Sequence, residues 1–219
     1  MKSYDFPLIM SAPMVLALLR QVRGKPGGKT QTRRFETPIL KAAERAQAQE
    51  RPLRAWVREG FMPAPMEAAP ELARPTMWHI AYAVGGDREA IAPSGYKPML
   101  YNYERWSPCI HMPRWVSRLT LLDVSIRRER LGDISEEDAR AEGIKQVWDG
   151  VVTFISSEGP GRWVTPWKTA RDAYSDLWDR LHGPGAWERD ADKEVIVISF
   201  RPMLANIDEP EAQGGADHG

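Results

Sequence analysis

Between Ser117 and Leu131 the apolar residues alternate and then slip. Leu119 and Leu121 hold one parity, Val124 and Ile126 the other. Alternation with a period of two marks a strand that rests one face on a core. A slip of one residue would turn that face to solvent. A β-bulge near Leu122 and Asp123 restores it. The stretch therefore reads as the longest strand of the chain, and it should cross the centre of a β-barrel.

Other elements gather around it. Apolar runs at 6–10, 53–59 and 76–84 read as strands, 147–155 as a strand or hairpin arm, and 194–200 as a buried closing strand. Pro13 opens a short helix that Gly24 ends. Ser135 is a good N-cap for a helix reaching Glu142, with Gly143 placed to stop it. Over residues 168–181, Ala170, Ala173, Tyr174, Leu177, Trp178 and Leu181 make one apolar stripe at helical spacing. That stripe reads as core. Strands and helices together give an α+β class.

The 219 residues fit one domain over 1–203. Polar or proline-rich insertions are expected near 36–52, 60–76 and 85–108. The acidic, glycine-containing segment 204–219 is expected to be a disordered tail. Lys plus Arg and Asp plus Glu both number 30, so the chain has no net charge to attract a long nucleic acid. One cysteine excludes an internal disulfide, and four scattered histidines form no metal constellation. No metal and no cofactor are expected. No apolar run is long enough to span a membrane and no leader is visible, so a cytoplasmic protein without a membrane partner is expected.

The densest chemistry lies at Gly27-Gly28-Lys29-Thr30-Gln31-Thr32-Arg33-Arg34. A phosphate-binding P-loop would need glycine five positions before Gly28, where this chain has Arg23. The stretch is either a basic surface turn leading into a strand or a site. Lys29 and Thr32 are three apart, so in a straight strand they would point to opposite faces. They share a pocket only if the chain bends between them. Glu142 falls in the last turn of its helix, where the dipole disfavours negative charge; such a carboxylate is solvated or held for a purpose. Cys109 and His111, two apart, would share a face in an extended segment, which leaves a thiol nucleophile or an inert cysteine as readings.

Lys29-Thr30-x-Thr32-x-Arg34 after a short helix and a glycine turn resembles the opening motif of the ASCH family, which has a PUA-like mixed β-barrel fold. The resemblance extends over residues 8–34, Trp56-Val57-Arg58-Glu59, Ile110-His111-Met112-Pro113-Arg114-Trp115 and Ile134-Ser135-Glu136-Glu137-Asp138-Ala139, and is to the longer, phage-associated branch. Arg51-Pro52 replaces that branch's Gly-Asp turn, and Cys109 takes a position usually held by serine. Small bacterial members are amidohydrolases that deacetylate N4-acetylcytidine. The resemblance implies Lys29 as base, Thr32 as nucleophile and Glu142 as proton shuttle, acting on an N4-acylated cytidine or cytosine. Glu142 as the base for a water molecule, with Lys29 as electrophile, is the other assignment. Arg33, Arg34, Trp56, Glu59, His111, Arg114 and Trp115 are the candidate substrate-binding residues. Glu59 is a base acceptor or a strand-end ion pair, and Trp115 a stacking surface or packing. The partner is a small modified nucleoside or base, with RNA as the alternative: a binding module or ribonuclease would use the same basic loop to grip phosphates.

Overall fold

Asp123 sits at φ 52°, in the left-handed region, and the long strand changes phase there. In this computed structural model that strand is β7 (Thr120–Arg130). The register against its neighbour jumps from Ser199↔Ser125 to Arg201↔Leu122. Leu119, Leu121, Val124 and Ile126 consequently all enter one core. The structure describes residues 2–66, 76–94, 96, 105–148, 150–156 and 166–210.

In chain order the elements are β1 (Tyr4–Ile9), α1 (Ala12–Val22), β2 (Gln31–Arg34), α2 (Pro38–Ala48), β3 (Leu53–Arg58), β4 (Phe61–Pro65), β5 (Thr76–Tyr82), β6 (Asp87–Ala92), β7, α3 (Glu136–Ala141), β8 (Lys145–Trp148), β9 (Val152–Ile155), α4 (Ala170–His182), α5 (Ala186–Asp190) and β10 (Glu194–Met203). The fold is α+β. The main sheet runs β1-β3-β7-β10-β2, with β7 central; β4-β5-β6 and β8-β9 form two smaller sheets. β1 is parallel to β3, whereas β7 is antiparallel to both β3 and β10. The main sheet is open: its edges, β1 and β2, do not pair, and no closed barrel forms among the described residues. Arg34 bridges the two edges instead, its guanidinium donating to the Ile9 carbonyl at 3.3 Å.

Alternation divides the sheet into two faces. On one, Ile196, Ile198 and Phe200 of β10 meet Leu18, Leu40 and Ala43 from α1 and α2. On the other, Val195 and Val197 meet Ala139, Tyr174 and Trp178 from α3 and α4. In β2, Thr32 pairs with Ile198 and Arg33 with Val197. Directly paired residues share a face, so Thr32 joins the first core and Arg33 the second.

Several sequence expectations need correction. The 36–52 segment is no exposed insertion: Thr37 caps α2, and Leu40, Ala43 and Ala46 bury its apolar stripe. Within 60–76 the prolines Pro63 and Pro65 lie in β4, which is an edge strand of its small sheet, where a missing N–H costs no ladder bond; residues 67–75 lie outside the described residues. Within 85–108, Asp87–Ala92 form β6; residues 95 and 97–104 are outside the described ones. The chain also stays ordered past 203. Ala205, Asn206 and Ile207 are buried, and Asn206 donates to the carbonyls of Arg114 and Ser117. Of the expected tail, 211–219 lie outside the described residues.

Candidate active site

Lys29 reaches its place because three elements converge on its backbone. The Lys29 N–H donates to the carbonyl of Ala17 in α1, the Thr30 N–H to that of Ala141 in α3, and the Phe200 N–H of β10 to that of Thr30. Gly143, at φ 99°, makes the junction tight: an added Cβ would lie 2.9 Å from the Ala17 Cβ. The glycines ahead of Lys29 serve packing. Gly28 lies against Gln21 of α1 and Gly27 against Lys145.

Lys29 is 1% exposed, and its Nζ donates to the main-chain carbonyl of Glu142 at 2.9 Å and to its Oε2 at 2.5 Å. Glu142 is the C-cap of α3. The end of a helix leaves carbonyls unpaired and carries partial negative charge. One ammonium therefore satisfies a helix-end carbonyl and offsets a carboxylate that the dipole disfavours. Burial pushes the Lys29 pKa below its ordinary value, assisted by the cations of Arg34 and Arg33 and opposed by Glu142.

Arg33 clamps the other carboxylate oxygen. Its Nη1 donates to Glu142 Oε1 at 3.2 Å and to Gln31 Oε1 at 2.7 Å. Its Nε bonds Glu129 at 2.8 Å and its Nη2 bonds Asp138 at 2.8 Å. Gln31 returns to Asp138 at 3.1 Å, and Arg127 reaches the same carboxylate at 2.8 Å. The Tyr174 ring lies 5.9 Å from the Arg33 guanidinium, and burial drives its phenol pKa well above the ordinary value, so it stays neutral.

Glu142 faces a cleft of about 280 Å³ lined also by Ile9, Ser11, Met14, Arg33, Arg34, Tyr174, Leu177, Trp178, Leu181 and His182. It opens at the free edge of β2, which is why side chains from both sheet faces reach it. Trp178 and His182 lie against each other with centroids 4.2 Å apart and planes tilted by 34°. Asp190 fixes the indole by accepting from Trp178 Nε1 at 3.3 Å. Burial lowers the His182 pKa, which keeps the imidazole neutral near pH 7. The arrangement combines a held carboxylate, the Arg34 guanidinium and the His182 ring lying over the buried Trp178 indole.

No protein-family model, no curated protein and no solved structure significantly matches the chain.

Of the residues singled out in the sequence, the fold brings together Lys29, Arg33, Arg34 and Glu142. Thr32 lies close in sequence but is fully buried toward the first core, and its hydroxyl has no hydrogen-bond partner. Lys29 Nζ bonds Glu142 and not Thr32. The remaining candidates gather around the β4-β5-β6 sheet instead. Trp56 and Trp115 pack in its core. Glu59 accepts two bonds from Arg118 at 2.9 Å, the strand-end ion pair. Arg114 pairs with Asp5 and Asp208. His111 is exposed on a 3-10 turn with Cys109, so the two do not share the face of an extended segment. Among the described residues no group of three His, Cys, Asp or Glu could hold a metal, and no helix is long and apolar enough to cross a membrane.

Sequence reasoning missed Ser11, Met14, Tyr174, Trp178 and His182. The stripe of α4 does build core, but its Tyr174 and Trp178 are followed by His182 just beyond it, rings at every fourth residue, and that spacing was the available signal.

Proposed function

We propose that this protein is a PUA-like, ASCH-type amidohydrolase that removes the acyl group from N4-acylated cytidine or cytosine. The observation that carries the reading is Glu142, a carboxylate 5% exposed, held through both oxygens by Lys29 and Arg33 and lining the same cleft as His182 and Trp178. A nucleobase is flat and polar at its edge; the exposed His182 ring, backed by the buried Trp178, offers a stacking surface, and Glu142 with the Arg34 guanidinium offers polar contacts.

The chemistry follows from that geometry. Glu142 takes a proton from a water molecule, whose oxygen attacks the acyl carbonyl. When the carbon–nitrogen bond breaks, Glu142 returns the proton to the departing exocyclic nitrogen. The products are cytosine or cytidine and a carboxylic acid. Lys29 and Arg33 hold the carboxylate in place throughout. This assigns the base to Glu142 and not to Lys29, two of whose three N–H donors are spent on Glu142 itself. It also leaves Thr32 without a base beside it, which a hydroxyl nucleophile needs.

The RNA-contact alternative has less support. Arg114, its phosphate-gripping candidate outside the loop, is bound to two carboxylates, and the net charge is zero. The test is incubation of the purified protein with N4-acetylcytidine, following cytidine release by absorbance, beside Glu142→Gln. Release by the wild type that the variant loses supports the reading. No release by a folded wild type across several acyl chains overturns it.

A further inference from the structure

Four cations meet at this edge of the sheet, but the carboxylates bond only three of them. Lys29, Arg33 and Arg127 share Glu129, Asp138 and Glu142, three against three. Arg34 stands outside that pairing. Its Nη1 donates to the Arg33 carbonyl at 2.9 Å, and its Nη2 faces the Ile9 carbonyl and the sulfurs of Met10 and Met14. Among the described residues no carboxylate bonds it. A half-buried guanidinium has five donors and a fork suited to planar oxyanions, and holding it out of water without a counterion is costly. Its bonded acceptors are neutral carbonyl and thioether groups, and Glu142 acts on it only through space.

A second observation lies beside it. Ser11 is the N-cap residue of α1, an 11-residue helix, yet its side chain makes no capping bond. Its hydroxyl is buried without a partner, and the residue lines the same cleft. The amino end of a helix adds unpaired N–H groups and partial positive charge. Arg34, Ser11 and the start of α1 thus surround one part of the cleft with donors, while Glu142 occupies another.

We infer that Arg34 and Ser11 form an oxyanion subsite, so that the preferred ligand of the cleft carries a carboxylate or phosphate group. The inference rests on the reading of the cleft as a site for acylated cytosine compounds, and it narrows that class to anionic members. Two sources supply the charge: a phosphate on the sugar, as in cytidine monophosphate, or a carboxylate on the acyl chain, as in N4-succinylcytosine.

The test is calorimetric titration of the full chain at low salt with cytidine, cytidine monophosphate, N4-acetylcytosine and N4-succinylcytosine. One anionic ligand is expected to bind about tenfold or more tightly than its neutral counterpart, as a charge-assisted bond supplies. The first pair identifies phosphate as the source and the second pair carboxylate. Arg34→Gln should abolish the preference, Arg34→Lys should keep part of it, and Ser11→Ala should weaken it, which keeps the test open if one variant fails to fold. Equal binding of neutral and anionic ligands overturns the inference, as does a preference that persists in folded Arg34→Gln. Anion-selective binding through Arg34 without any acyl hydrolysis upholds the subsite and overturns the proposed activity instead.

Discussion

One ammonium, that of Lys29, donates to both the main-chain carbonyl and the side-chain carboxylate of Glu142, 113 positions further along the chain. The contact couples the glycine loop to the end of α3 and orients the carboxylate toward the cleft. Removing either member leaves a buried charge short of a partner, which costs about 3–5 kcal/mol. Lys29→Met and Glu142→Gln should each lower unfolding free energy by that order in denaturant titrations. A double variant, Lys29→Met with Glu142→Gln, should lose less than the sum, because contacting residues do not add independently. Additive losses would mean that the pair is not coupled.

Gly143 provides the second prediction. Alanine there must adopt φ 99° and place its Cβ 2.9 Å from that of Ala17. Strain of this kind costs about 1–3 kcal/mol. Gly143→Ala should lower the melting temperature and, by shifting the adjoining Glu142, reduce turnover. Gly150, also at positive φ (74°) but with open space around it, is the control: alanine there carries backbone strain alone, and its turnover should match the wild type.

Asp190 gives a prediction in pH. Bonds from Arg189 and Lys193, then from Trp178, hold its carboxyl well below the ordinary value of 3.8. A depressed folded-state pKa adds stability that is present above the unfolded value and lost as pH falls below it. Asp190→Asn should therefore be less stable than wild type near pH 7, and the gap in melting temperature should narrow as pH drops from about 4 toward 2. A gap that stays constant over that range would contradict the assignment. Because Asp190 also fixes the Trp178 indole, the variant should bind cytidine more weakly as well.

The legible parts of the fold were those decided locally. The phase slip at Leu122 and Asp123 gave the bulge of β7, the Ser135 cap gave α3, and the stripe of 170–181 gave α4. What the sequence hid was pairing across long separations. Glu59 and Arg118, 59 positions apart, form a buried ion pair that no local pattern announces. Trp56, Arg114 and Trp115 were grouped with Lys29 through motifs that resemble one family, yet Trp56 and Trp115 pack in the core of the β4-β5-β6 sheet and Arg114 is held by Asp5 and Asp208. Prolines also misled: in β4 they sit on an edge strand, where they break no ladder. At the site itself, Lys29, Arg33, Arg34 and Glu142 could be named in advance, but the direction of Thr32 depended on the pairing of β2 with β10, which sets which parity faces which core.

The buried Thr32 hydroxyl allows the two chemical assignments to be separated. It has no partner, so Thr32→Val removes an unsatisfied group at nearly constant shape and should be neutral or stabilising by about 1 kcal/mol. The most direct measurement is turnover of N4-acetylcytidine by the wild type, Thr32→Val and Glu142→Gln side by side, with folding of each checked by circular dichroism. With Glu142 as the base for water, Thr32→Val keeps most of the wild-type rate and Glu142→Gln falls by about 10²–10⁴-fold. Loss of turnover in folded Thr32→Val, with activity retained in Glu142→Gln, would contradict the account and return the nucleophile to Thr32.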